Sequence, residues 1–191
     1  WDRAKEFYIC NQCGSMSPLD MALDLTGLNF NSTARIIRGY GVMTETAIKP
    51  DLAKIEAKLK AIHAGLKRLN GSDIASRYLA SRGITELPES SVYFHEAIEY
   101  WDDKRRLGSY PAMVSRIQTA NNELSTFHIT YLDGQGNKAK VPQCKKVMPV
   151  LRSMVGGAIK IAKPVNNCLA IAEGVETALS VQCFEGMPCW A

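Results

Sequence analysis

The hydrophobic positions of this chain follow a helical period in its first half and a strand period from about residue 110. Residues 50–69 carry leucine and isoleucine at helical spacing, which predicts a long amphipathic helix, and residues 74–81 predict a shorter one. From about residue 110 the apolar positions shift towards a period of two, which predicts strands over 112–117 and 124–132, and Asn121-Asn122 predicts the hairpin turn between them. The pattern therefore predicts an α+β chain with antiparallel strands.

The end of the chain has another pattern. Residues 168–172 form a short apolar run of the kind found in a buried parallel strand. Glu173-Gly174 follows, then a predicted helix over 175–184, and a further strand begins near Pro188. This order predicts a strand–helix–strand unit with parallel strands.

Composition limits the class of protein. The chain has 191 residues, of which 46% are hydrophobic and 22% charged, as in globular domains. No apolar run is long enough to cross a bilayer, and the first residues show no secretory signal. The six cysteines are too sparse for a secreted disulfide scaffold, so we expect a cytoplasmic protein with no membrane partner.

Charge is distributed unevenly along the chain. Residues 1–133 hold 16 basic and 16 acidic side chains, residues 134–172 hold seven basic and no acidic ones, and residues 173–191 hold three acidic and no basic ones. Clustered lysines attract phosphate backbones, so the basic block (residues 134–172) favours nucleic-acid binding over the alternative of a solvated lysine face.

The junction at Glu173 is the main candidate for chemistry. A carboxylate at the end of a strand, a glycine after it and a helix start are how open α/β sheets place functional groups. Glu173 and Glu176 would face one opening, with Thr177 beside them and Gly174 leaving room for a phosphate. Paired carboxylates suit Mg²⁺ or general-base work. The alternative is that both carboxylates only complement a helix N-terminus.

Cys10 and Cys13 have the spacing of half a zinc site. Tetrahedral zinc needs four ligands, and none of the nine residues before Cys10 is Cys or His. The spacing predicts a half site for Zn²⁺ in an intact protein. The alternative is a pair of free thiols on a turn.

Residues 169–179, LAIAEGVETAL, resemble the first motif of Toprim domains, which bacterial-type primases, topoisomerases and related nucleases share. This motif is most similar to the version of it in plasmid- and phage-encoded primases and primase-helicases. The segments 100–114, 128–139, 145–148 and 156–159 are similar to the region that precedes Toprim in those proteins. Residues 11–14 are similar to the second half of their N-terminal zinc ribbon.

The resemblance implies four parts. They are a truncated zinc ribbon with two short helices (1–40), a helical connector (41–95), an α+β subdomain ahead of Toprim (96–165) and the first β-α-β of an α/β Toprim fold (166–191). It implies a DNA primase that joins ribonucleotides on single-stranded DNA with Mg²⁺ or Mn²⁺, in the replication of a mobile element, with a helicase domain or replisome protein as a further partner.

Residue roles follow from the same resemblance. Glu173 would be the catalytic acid/base and Glu176 the acidic position three residues later. The contacts to template or nucleotide would be Arg116, His128, Lys138, Lys140, Lys145, Lys146, Gly174 and Thr177. In Toprim enzymes an Asp-x-Asp motif on a later strand holds Mg²⁺, and no such motif follows Glu173. We therefore expect a fragment that is inactive by itself.

Two other functions stay open on the sequence. The first is strand cleavage by a Toprim nuclease or topoisomerase, and the second is a non-catalytic module that binds nucleic acid.

Overall fold

In a computed structural model, the described residues are 8–10, 14–16, 18–40 and 51–191, and the chain forms two compact units, Trp1–Lys49 and Pro50–Ala191. In the first unit, strands β1 (Tyr8–Cys10) and β2 (Gly14–Met16) pair antiparallel. Helices α1 (Pro18–Thr26) and α2 (Phe30–Tyr40) follow. Asn29 Oδ1 accepts from Ser32 N at 3.0 Å. Asn29 therefore caps α2.

The second unit begins with α3 (Leu52–Ala64), which is shorter than the predicted helix. Its N-cap is Asp51, whose side chain accepts from Lys54 N, and it ends at Gly65. Residues up to 69 were expected to continue the helix. That expectation is wrong, because strand β3 (Leu66–Arg68) pairs there with β4. Helix α4 (Ile74–Ala80) has Asp73 as its N-cap and confirms the second predicted helix.

Five antiparallel strands form the main sheet, in the order β3-β4-β5-β6-β7. Their bounds are β4 (Val92–Asp102), β5 (Arg105–Gln118), β6 (Leu124–Tyr131) and β7 (Lys145–Val147), beside β3. The two-residue turn between β4 and β5 has positive φ at Asp103 and Lys104, as a type I′ turn requires. The β5–β6 hairpin confirms the prediction around Asn121-Asn122, whereas β4 was not predicted.

The two faces of this sheet bury separate cores. One face carries Ala112, Val114 and Ile129, and Leu59 and Ile62 of α3 pack in the same cluster. The other face packs against α4 and the last helix, in a cluster that includes Met113, Ile117, Leu79 and Leu179. We call the latter the α4 face and the former the α3 face. Because side chains alternate along a strand, the pairing register decides which face each polar residue reaches.

Residues 170–190 form the predicted strand–helix–strand unit. Strands β8 (Ala170–Ile171) and β9 (Cys189–Trp190) pair in parallel, with α5 (Val175–Glu185) between them. Ala158 makes only an isolated bridge with Gln118, and Ile159 exchanges two backbone hydrogen bonds with Ala191. Through these bonds the unit is attached to the main sheet.

The α+β fold class is therefore confirmed at the coarse level. Residues 50–191, which the sequence divides among three parts, form one compact unit, and the sheet takes β3 from the predicted connector. The first ten connector residues, 41–50, lie outside the described part of the chain. Within the described ranges, no helix is long and apolar enough to cross a membrane.

Candidate functional site

The carboxyl end of β8 and the start of α5 lie against the α4 face of the sheet. A cavity of about 350 Å³ opens there, and its lining includes Glu173 and Gly174 from the junction and His128 and Lys145 from β6 and β7. The register explains this convergence. Lys145 pairs with Thr130, which pairs with Met113, and His128 pairs with Ser115, so all of them lie on the α4 face. The structure thus brings together four residues that the sequence had singled out.

Glu176 lies at the centre of a hydrogen-bonded group beside this cavity. Its Oε1 accepts from the Tyr78 hydroxyl at 2.7 Å, and Lys145 Nζ is 2.8 Å from each of its two oxygens. Its side chain is 14% exposed, against 36% for that of Lys145. Both carboxylate oxygens therefore already have donors.

The environment sets the charge of this group. Burial by itself would raise the pKa of Glu176, but hydrogen bonds from Lys145 and Tyr78 outweigh burial and lower the pKa from 4.5 to about 2. Burial and the Glu176 carboxylate raise the pKa of Tyr78, so its hydroxyl stays protonated as a donor. The result at neutral pH is an anionic carboxylate, a cationic ammonium and a neutral phenol.

His128 is half-buried, and its Nδ1 is shielded from solvent and has no hydrogen-bond partner within the described chain. Burial lowers the pKa of His128, and the nearby charge of Lys145 lowers it further. A buried nitrogen without a partner costs stability. The neutral imidazole borders the cavity beside the ammonium.

The junction itself is open. Glu173 and Thr177 are exposed, and the Glu173 side chain makes no hydrogen bond or ion pair with any described residue. Gly174 is the N-cap of α5 with φ −136°, which any residue adopts, and a Cβ there would meet its nearest atoms at 3.8 and 3.9 Å. Glycine is therefore not required here by the fold.

The other predicted contacts lie elsewhere. Lys138 and Lys140 are exposed on the segment that follows the turn at 133–137. Lys146 lies on the α3 face, with Nζ 4.1 Å from the Tyr100 ring centroid and 3.5 Å from Asp102. Arg116 pairs with Phe127, which is buried on the α3 face. None of the four borders the cavity.

Tyr78 is the site residue that sequence reasoning missed. It lies on α4, 98 residues before Glu176. In the sequence it is one apolar position of a short helix, with the same spacing signal as a core residue. Only the packing of α4 against α5 makes its hydroxyl part of the site.

A protein-bound metal ion needs several ligand side chains at one point. No three His, Cys, Asp or Glu side chains come together within the described ranges. Glu173 is one available carboxylate, and Glu176 is already bonded to Lys145 and Tyr78. These residues do not form a magnesium centre. For zinc, Cys10 ends strand β1, its side chain is not described, and Cys13 lies outside the described residues.

A larger cavity, of about 960 Å³, lies on the other side of β9 and the segment 160–164. Two lysines border it: Lys163, which is exposed, and Lys160, whose Nζ donates to Thr119 O, Ala120 O and Asn122 Oδ1. Three bonds use all three protons of an ammonium group. This cavity is larger than the one at Glu173, and one of its two lysines, Lys160, serves the hairpin turn.

A comparison with protein families gives one match. A model described as a domain of unknown function, DUF7146, matches residues 53–161, more than half of the chain. No curated protein and no solved structure matches the chain. Tyr78, His128 and Lys145 lie inside the matched range, and Glu173 and Glu176 lie after it.

Proposed function

The chain belongs to the DUF7146 family, and since that domain has no known function, we propose one from the site: it binds the phosphate groups of single-stranded DNA and nucleotides as part of a primase-type nucleotidyltransferase. The observation that supports this proposal is the cavity in which Lys145 and His128 face the Glu173-Gly174 junction. A cation, a neutral imidazole and a free carboxylate at one opening suit a ligand with phosphate groups and a proton to transfer.

Charge along the chain supports a polyanionic ligand. The basic block contains Lys145, and its exposed members Lys138 and Lys140 precede β7. Lysine side chains bind phosphates through counterion release, which is independent of base sequence. Lys138 and Lys140 are proposed to bind the template outside the cavity, and Lys145 to bind a phosphate within it. Arg116 and Lys146, on the α3 face, would serve a separate contact.

The primase assignment comes from the resemblance of residues 169–179 to the first Toprim motif. Glu173 lies two residues after β8, exposed and without a bonded partner in the described chain, so it has the freedom that a proton-transferring carboxylate needs. Primases use Mg²⁺ in nucleotidyl transfer. The described residues do not form a centre for it, so no step is assigned to the metal.

One observation favours a second function. Of the two junction carboxylates, Glu176 is held by Lys145 and Tyr78, which leaves Glu173 alone. A module that binds nucleic acid without acting on it does not need a pair of free carboxylates. Such a module would bind single-stranded DNA with the same salt dependence and no turnover.

Binding is tested with a fluorescently labelled single-stranded oligonucleotide and the 191-residue chain, over a series of salt concentrations. We expect Lys145→Met to weaken binding and to reduce the slope of log K against log salt by about 0.7, the value for one phosphate contact to a single strand. Lys60→Met is the matched control, because Lys60 also pairs with a glutamate, Glu56, at 2.9 Å, but on α3. No binding by the native chain, or equal effects of both substitutions, would contradict the proposal.

Activity is tested by adding NTPs, Mg²⁺ and a single-stranded template to the protein that contains this chain. Primer synthesis that Glu173→Gln abolishes, with DNA binding unchanged, supports the primase. Cut template indicates cleavage, and binding without either product indicates the module. A Glu173→Gln protein with normal primer yield would show that Glu173 has no catalytic role.

A further inference from the structure

Tyr78, Glu176 and Lys145 form a continuous hydrogen-bonded chain from the core to the cavity. Tyr78 is 1% exposed and belongs to the core on the α4 face, where Arg82 lies 4.7 Å over its ring. Its hydroxyl bonds to Glu176, and Glu176 bonds to Lys145, which borders the cavity. The chain joins residues from α4, α5 and β7.

We propose that Tyr78 and Glu176 are positioning residues for Lys145, and that they hold its ammonium group at the cavity wall to bind a phosphate of the nucleotide or DNA strand. This inference rests on the proposed function, since it assumes that the cavity binds a phosphate-bearing ligand. It gives Glu176 a role different from that of a metal ligand or a catalytic carboxylate.

The geometry around Glu176 supports that role. A metal ion at this carboxylate would have to displace an ammonium group 2.8 Å from both oxygens, as well as the Tyr78 hydroxyl. Lys145 has three N–H donors, and Glu176 offers it two oxygens. At least one donor therefore remains for a ligand, and the side chain is 36% exposed.

Holding Lys145 in place would increase affinity without any new contact. A free lysine side chain loses rotamer entropy when it is fixed against a ligand. Where the lysine side chain is already held in the folded protein, it has lost this entropy before the ligand binds. Binding is then stronger by the corresponding free energy. Tyr78 is suited to this task because the buried phenol ring cannot move away from Glu176.

The test uses Tyr78→Phe, which removes the hydroxyl and keeps both the ring and the net charge. The probes are ATP and the labelled single-stranded oligonucleotide. We expect Tyr78→Phe to weaken binding about 3- to 10-fold, since the lost bond is one to a charged group. The salt slope stays unchanged, because Lys145 keeps its charge. In a Lys145→Met background, Tyr78→Phe has no further effect on binding.

Tyr131→Phe is the matched control. Its buried hydroxyl donates to Glu99 O at 3.0 Å on the α3 face, so it loses a comparable bond away from the cavity. Both variants are expected to lower the thermal midpoint, and only Tyr78→Phe is expected to weaken binding. If Tyr78→Phe and Tyr131→Phe bound the probes with equal affinity, Tyr78 would be only structural, and the inference would be overturned.

Glu176→Gln provides a second test, in which the direction of the change in binding affinity separates two roles of the carboxylate. The substitution makes the site more positive, so a carboxylate that merely competes with the ligand for Lys145 would give tighter binding when it is removed. A positioning carboxylate gives weaker binding in spite of the added charge, and this is the result we expect. Native protein that binds neither probe contradicts the proposed function itself. Native binding that Lys145→Met weakens and Tyr78→Phe does not contradicts only this inference.

Discussion

Replacing Glu176 with Gln removes a carboxylate that two hydrogen bonds hold at a pKa of about 2, so its effect on stability is expected to depend strongly on pH. An unfolded glutamate titrates near 4.5. Because the pKa in the folded state is the lower one, the stabilising contribution is complete above 4.5 and is lost as the pH falls towards 2.

The size of this effect follows from the shift. A difference of about 2.5 pKa units corresponds to about 3 kcal/mol, at about 1.4 kcal/mol for each unit. The Glu176 side chain is 14% exposed, so solvent screening reduces this value little. Removing one partner of a buried pair also leaves Lys145 without its counter-ion, which acts in the same direction.

Urea unfolding of native protein and Glu176→Gln at pH 7, 4.5 and 2.5 measures the effect. We expect the native protein to be more stable by about 3 kcal/mol at pH 7 and 4.5, and by less than about 1 kcal/mol at pH 2.5. Glu56→Gln, which breaks the exposed pair with Lys60, is the control and is expected to change stability little at any pH. A Glu176→Gln difference that stays the same from pH 7 to 2.5, or is absent at pH 7, would refute the reasoning.

Two further predictions concern residues that border the same cavity. Burial and the charge of Lys145 lower the pKa of His128, so the stability that His128 contributes is present above about pH 6.5 and is lost as the pH falls. We expect the thermal midpoint of His128→Gln to change less between pH 7.5 and 5 than that of the native protein. At Gly157 a Cβ would lie 2.9 Å from the Met154 carbonyl oxygen, so Gly157→Ala is expected to cost about 1–3 kcal/mol in urea unfolding, whereas Gly174→Ala, whose nearest contact is 3.8 Å, is expected to cost almost nothing. Equal losses for the two glycines would contradict the packing described here.

The parts of the fold that the sequence predicted correctly are those with an uninterrupted period. Residues 127–131 of β6 alternate apolar and polar side chains, and the turn before β6 has a clear signal at Asn121-Asn122. Strand β4 was missed because a register shift between His95 and Ile98 breaks its alternation. The helix over 50–69 was predicted too long because Leu66 continues the spacing of Ile62, although Gly65 ends the helix and the next residue starts a strand.

The site residues were likewise easier to predict where the signal lies in one short motif than where it depends on strand pairing. Glu173, Gly174 and Glu176 were found because they lie together in one motif. Which lysine reaches them depends on the register of β7, since neighbouring residues in a strand point to opposite faces. Lys145 lies beside the cavity and Lys146 does not, and nothing in the lysine pair itself distinguishes them.

Tyr78 and Lys145 also relate the family to the junction at Glu173. Both lie within the region that the family model matches, and both bond to Glu176, which lies beyond residue 161. The polar group therefore needs both parts of the chain, and so does the core on the α4 face, where Leu79 and Ile84 pack with Val175 and Leu179. Without α5, a buried phenol on α4 and a lysine on β7 would lack their shared acceptor, and the loss of an acceptor is costly for a buried hydroxyl. The matched domain and the strand–helix–strand unit are thus best understood as two halves of one site, each of which provides the bonding partners of the other.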